Sequence, residues 1–212
     1  MAPRFHELKI LDVKPETEGA VSISFDVPEN LLETFNFLPG QYLTVRTMMD
    51  GEEIRRSYSI CSAVSEGLRI GVKQVPSGKF STFAQTLQAG DTLEVMPPEG
   101  RFVADPDEKN SNHFQLIAAG SGITPVLSIA KSVLQNEPGS TVTLVYGNRT
   151  TASIMFREEL ENLKDRFLER FHVYHVLSRE AQDVDLFAGR IDAEKIDLLC
   201  VNIWLSASHA WL

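Results

Sequence analysis

The stretch Phe114–Pro125, FQLIAAGSGITP, decides the fold. Its first part, Phe114–Ala119, is a short, largely apolar run of strand length, the pattern of a strand buried on both faces. Gly120-Ser121-Gly122 then turns the chain. Thr124 reads as the cap of a helix whose first residue is Pro125, the place where a missing N–H costs nothing. Val126, Ile129, Ala130, Val133 and Leu134 follow at helical spacing, and Pro138-Gly139 ends the helix. A strand that passes through a glycine turn into a helix belongs to a parallel sheet with crossover helices. The turn also lets backbone N–H groups approach a pyrophosphate. It is not the G-x-G-x-x-G pattern, so it is not a dehydrogenase fingerprint, and a glycine turn of this kind is common without any ligand.

Downstream the alternation continues. Thr141–Tyr146 and Phe171–Leu177 read as strands, Phe156–Leu163 and Ala193–Leu199 as helices, and Val201–Leu205 as a last strand. Upstream the pattern differs. His6–Val13, Ala20–Val27, Gln41–Arg46, Arg56–Cys61, Leu68–Val75 and Thr92–Met96 are short β-rich runs. They are separated by Pro39-Gly40, Asp50-Gly51, Ser77-Gly78, Ala89-Gly90-Asp91 and Pro97-Pro98. Asp50-Gly51 between apolar runs is a hairpin signal. Many short strands at this spacing predict an antiparallel barrel, interrupted by one helix over Ser81–Gln88 with Phe83, Ala84 and Leu87 on one face. The acidic, proline-bearing segment Val103–Ser111 is the linker. The expected fold is therefore β-barrel plus α/β: an antiparallel barrel over residues 1–104, then a parallel-sheet lobe over residues 112–212.

Composition narrows the function. The 212 residues are 43% hydrophobic and 23% charged, ordinary for a globular protein. The net charge of −9, with no Lys/Arg block, argues against nucleic acid and permits a basic docking partner. Two cysteines, Cys61 and Cys200, cannot make a disulfide scaffold or supply the four or so thiolates of an iron–sulfur cluster. No apolar run approaches the ~20 residues that cross a bilayer, and Met1–Glu18 does not resemble a signal peptide, so a cytoplasmic location without membrane is expected. His172 and His175, three apart on a strand, face opposite sides and suggest no metal site. Cys61 reads as a packed thiol.

Arg56-Ser57-Tyr58-Ser59 is the second informative stretch. An isoalloxazine ring needs a flat face to stack on, a hydrogen-bonding group near N5 and cationic or amide groups for its phosphates. Tyr58, Ser59 and Arg56 offer these within one strand, although alternation sets Arg56 and Tyr58 on one side and Ser59 on the other. Alone, the four residues describe an ordinary strand equally well. Gly78-Lys79-Phe80-Ser81-Thr82 shifts the balance, because it sets a glycine and hydroxyls where the interrupting helix begins, a ready pyrophosphate seat.

Phe37-Leu38-Pro39-Gly40-Gln41-Tyr42, Arg56-Ser57-Tyr58-Ser59, Val72-Lys73, Gly78-Lys79-Phe80-Ser81 and Gly120-Ser121-Gly122-Ile123-Thr124-Pro125 occur here in the order seen in the ferredoxin-NADP reductase superfamily. The chain resembles that family from about Phe5 to about Leu199. Within it, the chain is most similar to reductase components of bacterial multicomponent oxygenases, among them the reductase subunits of phenylacetyl-CoA epoxidases. The resemblance implies a flavin-dependent NAD(P)H oxidoreductase, with FAD bound by residues 1–104, NAD(P) by residues 112–212, and the two cofactors meeting between the lobes. It implies that Arg56 binds flavin phosphate, Tyr58 stacks on the ring and Ser59 approaches N5. Ser57 belongs to the same motif, Val72 and Lys73 line the ribityl chain, and Gly78, Lys79, Phe80 and Ser81 hold the pyrophosphate. Gly120, Gly122, Ile123, Thr124 and Pro125 contact the nucleotide, with Thr124 near the nicotinamide. Ser59, Thr124 and Tyr58 are then the residues at the chemistry.

Cofactor choice turns on the ends of the next two strands. Gly147-Asn148-Arg149-Thr150 carries no acid, and Ser178-Arg179 follows the third strand. Arg149, Ser178 and Arg179 suit a 2′-phosphate, which favours NADPH over NADH, although arginines there can also be plain surface residues and Glu180 slightly weakens the second site. With no cluster of its own, the chain is expected to pass electrons to a separate ferredoxin or oxygenase. Members of the family carry Cys-Gly and a proline on a late strand. The comparable stretch here, Trp204-Leu205-Ser206-Ala207-Ser208-His209, lacks them, and the chain stops at Leu212 where relatives continue. An exposed sheet edge of this kind invites a homodimer. The alternative reading is a non-catalytic protein that binds flavin or relays electrons, or a fragment, with impaired NADPH use.

Overall fold

The computed structural model describes residues 4–204. The chain falls into two compact units. The first comprises residues up to Asp105 together with Thr124–Ser132, and the second comprises Pro106–Ile123 together with residues from Val133 on.

The first unit is built on six strands: β1 (His6–Thr17), β2 (Ala20–Asp26), β3 (Tyr42–Met49), β4 (Glu52–Ser59), β5 (Leu68–Lys73) and β6 (Thr92–Val95). They form one sheet in the order β4-β3-β6-β1-β2-β5, with every neighbouring pair antiparallel. The two ends of that order meet in a single antiparallel bridge, Ile60 with Ile70, which closes the sheet on itself as a barrel. Closure removes the free edges an open sheet would present. Alternation supplies the interior. Leu8 and Ile10 of β1, Ile23 of β2, Leu43 and Val45 of β3, Ile70 and Val72 of β5 and Val95 of β6 are fully buried in one cluster. The β3–β4 hairpin turns at Asp50 and Gly51, both at positive φ (52° and 78°), the backbone that a two-residue turn joining right-twisted strands requires.

The predicted helix over Ser81–Gln88 begins earlier. Helix α1 spans Lys79–Phe83 and tightens into a 3-10 turn over Ala84–Thr86. Leu87 leaves it in an extended conformation, and the Asp91 carboxylate accepts the Gln88 N–H at 2.8 Å, which starts the next turn instead of a further helical one. Ala84 and Leu87 are buried as expected, while Phe83 is half-buried.

The second unit carries β7 (His113–Ala119), β8 (Thr141–Asn148) and β9 (Phe171–Leu177), a parallel sheet in that order. Its helices are α3 (Arg157–Arg166) and α4 (Ala193–Leu199). Helix α2 (Ile123–Asn136) is divided, Thr124–Ser132 counting with the first unit. Val145, Val176 and Leu199 form a buried cluster with Tyr174, Leu186, Phe187 and Ile191 packed on it.

Three further expectations are corrected. Phe114–Ala119 is not buried on both faces: among the described residues β7 pairs with β8 alone and is the edge of the sheet, so only Ala118 of that stretch is buried. Helix α2 starts at Ile123, with Gly122 in the cap position and no side-chain cap bond, so Thr124 lies inside the first turn rather than capping it. A 3-10 turn over Gly120–Gly122 runs straight into the helix and moves its start toward the strand. Pro125 remains in the first turn, where a backbone N–H is not needed and its absence costs nothing. The run after Leu199 is not a strand: Cys200–Trp204 continues α4 as a π-helical turn. No glycine or proline breaks the chain there, and a short apolar run does not by itself distinguish strand from buried helix. Residues from Leu205 on, including most of the stretch matched to the family's late strand, lie outside the described residues.

Candidate functional site

Two groups of residues were singled out by sequence, and each is assembled by its own local structure. In the first unit, the β3–β4 register sets Tyr58 opposite Leu43 and Arg56 opposite Val45. Both β3 partners are fully buried, yet Arg56 is exposed and Tyr58 only half-buried. The reason is the barrel seam. Beyond the Ile60–Ile70 bridge, an antiparallel register would carry Tyr58 toward Val72 and Arg56 toward Gln74. No such ladder forms among the described residues, so β4 and β5 splay there.

Arg56 Nη1 donates to the Arg55 carbonyl at 2.7 Å, and Ser57 Oγ lies 3.0 Å from Thr44 Oγ1. The ring of Tyr58 packs on that of Phe80, with centroids 5.5 Å apart at 33°. Partial burial pushes the Tyr58 hydroxyl pKa upward, and the neighbouring Arg56 charge opposes that shift. Ser59, also half-buried, is the last residue of β4.

The turn into α1 stands at the splayed end. The Gly78 N–H donates to the Val75 carbonyl at 3.0 Å, and Ser81 Oγ accepts from the Val75 N–H and donates to the Gly78 carbonyl, each at 3.2 Å. A Cβ on Gly78 would lie 2.4 Å from Ser81 Oγ and 2.5 Å from Val75 Cγ2. Gly78 and Ser81 thus build the loop itself, and the Ser81 hydroxyl is engaged in it. The side chains of Val72 and Phe80 are buried in the barrel core, and Lys73 is half-buried. Lys79 is ion-paired with Glu52 at the start of β4, which raises the lysine pKa and lowers that of the carboxylate.

In the second unit, Gly120 has φ +52°, a backbone that suits glycine, and its carbonyl accepts the Tyr146 hydroxyl at 2.9 Å. Tyr146 is fully buried, and burial pushes its pKa far up, which keeps it a donor. Gly122 is different. Its φ of −63° suits any residue, and a Cβ there meets nothing within 4 Å. The backbone does not require a glycine at 122, and the space beside it is open. Ile123 and Thr124 are buried and Pro125 half-buried.

Arg149 and Arg179 follow β8 and β9. The Arg179 N–H donates to the Arg149 carbonyl at 2.8 Å and the Ser178 N–H to the Asn148 carbonyl at 3.0 Å, so the strand ends stay in register and both exposed arginines stand side by side in the chain's pairing. Glu180, which by sequence could compete for those arginines, accepts instead from the Thr151 N–H (2.7 Å) and hydroxyl (2.6 Å), contacts that hold its carboxyl pKa down. Tyr146 is the supporting residue that sequence reading missed. A tyrosine at an inward position of an otherwise aliphatic strand was the available signal for it.

Residues 9–103 match the family model of an oxidoreductase FAD-binding domain, and residues 116–207 that of an oxidoreductase NAD-binding domain. The chain is 46% identical over 201 residues to a component of the 1,2-phenylacetyl-CoA epoxidase of Escherichia coli (strain K12), a match covering 94% of this chain and 56% of that protein. It is 39% identical over 175 residues to the 3-ketosteroid-9-alpha-monooxygenase ferredoxin reductase component of Rhodococcus rhodochrous, covering 80% of this chain and 48% of that protein. The chain therefore spans about half the length of these curated relatives. Among solved structures, a ferredoxin NADP+ reductase from Neisseria gonorrhoeae with bound FAD and NADP shares the fold, with a TM-score of 0.78 and 23% identity over 98% of this chain and 81% of that one.

Proposed function

The chain belongs to the ferredoxin-NADP reductase superfamily, and on that premise we propose that it passes electrons from NADPH through FAD to a separate iron–sulfur protein or oxygenase. One observation carries the reading. The splayed β4–β5 seam, bordered by Arg56 and the half-buried Tyr58, lies in the part that matches an FAD-binding domain, and the open space beside Gly122 lies in the part that matches an NAD-binding domain.

In this reading residues 1–104 are the FAD-binding barrel and residues 112–212 the NAD(P)-binding lobe. Arg56 and Ser57, with the main chain of Gly78, Lys79, Phe80 and Ser81, hold the flavin phosphates. Tyr58 covers the ring, the Ser59 hydroxyl bonds near its N5, and Val72 and Lys73 border the ribityl chain. When bound, FAD accepts two electrons from a reduced nicotinamide and releases them singly. No acid or base of the chain is required for that exchange; its residues position and shield. Gly120, Gly122 and the N–H groups of Ile123 and Thr124 take the nucleotide pyrophosphate beside Pro125, and Thr124 orients the nicotinamide. Arg149, Ser178 and Arg179 accept a 2′-phosphate, which selects NADPH over NADH. We place the protein in the cytoplasm, where among the described residues no helix is long and apolar enough to cross a membrane. Its acceptor is an oxygenase component of the phenylacetyl-CoA epoxidase kind, as the similarity to the Escherichia coli epoxidase component supports.

An absorption spectrum before and after adding NADPH tests this. The FAD-loaded protein is expected to be yellow, to bleach on mixing, and to bleach faster with NADPH than with NADH. A colourless protein after FAD loading would sink the proposal. A yellow protein that neither nucleotide bleaches would support a second reading, a flavin-holding relay with impaired NADPH use, which the helical Cys200–Trp204 in place of the expected strand favours. Strand β7 pairs only with β8 among the described residues and exposes Ile117, the surface through which a homodimer would form.

A further inference from the structure

Helix α2 carries a buried polar stripe that its fold does not need for packing. Thr124, Ser128 and Lys131 recur at i, i+4 and i+7, one face of a helix. All three are buried, Lys131 at 5% exposure, between the apolar Leu127, Ala130 and Leu134. Burying a lysine and hydroxyls costs free energy unless each finds a partner. Ser128 and Lys131 each have a partner on the loop that follows β4. Ser128 Oγ donates to the Ser62 carbonyl at 2.7 Å, fully buried, and Lys131 is ion-paired with Glu66. These residues all belong to the first unit.

The loop is itself held rigidly. Ser62 Oγ donates to the Gly67 carbonyl at 2.7 Å and accepts from the Arg69 N–H at 3.2 Å. The Cys61 N–H donates to the Arg69 carbonyl at 2.9 Å, and Glu66 accepts from the Ala63 N–H at 3.1 Å. Its base is the Ile60–Ile70 bridge, one residue beyond Ser59. Thr124 is thus tied to Ser59 by one helical turn, one buried hydrogen bond and a short braced piece of chain. Lys131 is buried and Glu66 is not, so the pair takes only one charge fully out of water; such a pair adds little net stability, and the best-attested use of ion pairs at buried positions is to fix register.

We propose that Ser128 and Lys131 are positioning residues: with Ser62 and Glu66 they lock the register of α2 against the β4–β5 loop, and so hold Thr124 at a set distance from Ser59. The inference deepens the flavin–nicotinamide reading above and rests on it for its catalytic consequence. The clamp itself does not depend on that reading.

Two measurements separate the two. Hydrogen–deuterium exchange on the full chain reads the clamp alone. In Lys131→Met and Ser128→Ala, amides of both the first half of α2 and the loop 61–69 should exchange at least about tenfold faster, with β1–β3 unchanged; equal exchange in wild type and variants would overturn the proposal, whatever the protein catalyses. Stopped-flow bleaching of the FAD-loaded protein by NADPH, with protium or deuterium at the transferred position, reads the consequence. Lys131→Met should bleach about tenfold more slowly with an altered isotope effect and unchanged FAD retention, and Lys131→Arg should recover most of the rate. Loosened exchange with a wild-type bleaching rate and isotope effect would refute the positioning role. A wild-type protein that fails to bleach would remove the functional reading while leaving the exchange result to decide the clamp.

Discussion

Gly78 and Gly122 stand in the two proposed cofactor motifs for different physical reasons. At Gly78 a methyl would collide with Ser81 Oγ and Val75 Cγ2, both nearer than any real Cβ contact, so the glycine is needed by the loop that precedes α1. At Gly122 a methyl meets nothing and the backbone is helical, so the fold would accept alanine. Gly122→Ala is therefore expected to leave the melting temperature unchanged or raise it slightly, since replacing a compatible glycine stabilises by about 0.4–1 kcal/mol. It should weaken NADPH binding about tenfold or more, read by titration, because the methyl fills the space the nucleotide would use. Unchanged binding would separate Gly122 from the nucleotide. Neither role is visible in the letters G-K-F-S or G-S-G. Both require knowing what surrounds the missing side chain.

Elements were legible where local chemistry and packing agree. Asp50-Gly51 predicts its hairpin because few other residue pairs tolerate two successive positive φ values, and Met49 and Glu52 pair across it. Phe114–Ala119 predicts a strand buried on both faces; the parallel strand forms, paired with β8 from His113 to Ala119, but at the edge of the described sheet, where only Ala118 of that stretch is buried. Agreement failed where neighbours decide. Thr124 has the chemistry of a cap, but the 3-10 turn at Gly120–Gly122 draws the helix start past it. Val201–Leu205 has the composition of a strand, but α4 runs on through Trp204. At the scale of an element, the loop before α1 gives a contrast to Gly122. Gly78→Ala must displace Ser81 or Val75, an overpacking cost of about 1–3 kcal/mol. That corresponds to several degrees of melting temperature for a chain of this size, with weaker FAD retention alongside. A melting curve identical to wild type would show that the loop relaxes freely.

Across the whole molecule, stability should depend on pH through two half-buried histidines. Burial holds the imidazoles of His113 and His175 below their ordinary value, with His172 and Arg157 respectively adding to the effect. Above about pH 6.5 both are neutral in the folded and unfolded chain and nothing is lost. As pH falls through that value, the unfolded chain takes up protons first, so stability declines until the folded pKa values are passed. The melting temperature is expected to drop between pH 7 and pH 5.5, and a His113→Phe, His175→Phe double variant should flatten that slope. Glu52, Glu53 and Glu180 are held low by their partners and contribute only in a more acidic window, below about pH 4.5. Tyr146 acts at the other end. Its pKa is raised by burial, so the stability it confers is present in neutral solution and falls as pH rises beyond about 10. A slope of equal steepness in the double variant would assign the acid limb to other groups.

By itself the sequence determined a barrel of short strands followed by a strand–helix–strand lobe, and the order of motifs that marks the family, because periodicity, turn chemistry and motif order are local properties written along the chain. Only the tertiary structure decided that β4 and β5 part beyond Ile60 and Ile70, that Tyr146 secures Gly120, that Glu180 turns to Thr151, and that Ser128 and Lys131 tie α2 to Ser62 and Glu66. Each of these joins residues remote in sequence, and its energy depends on what burial leaves for a polar group to pair with, which no window of neighbouring residues contains.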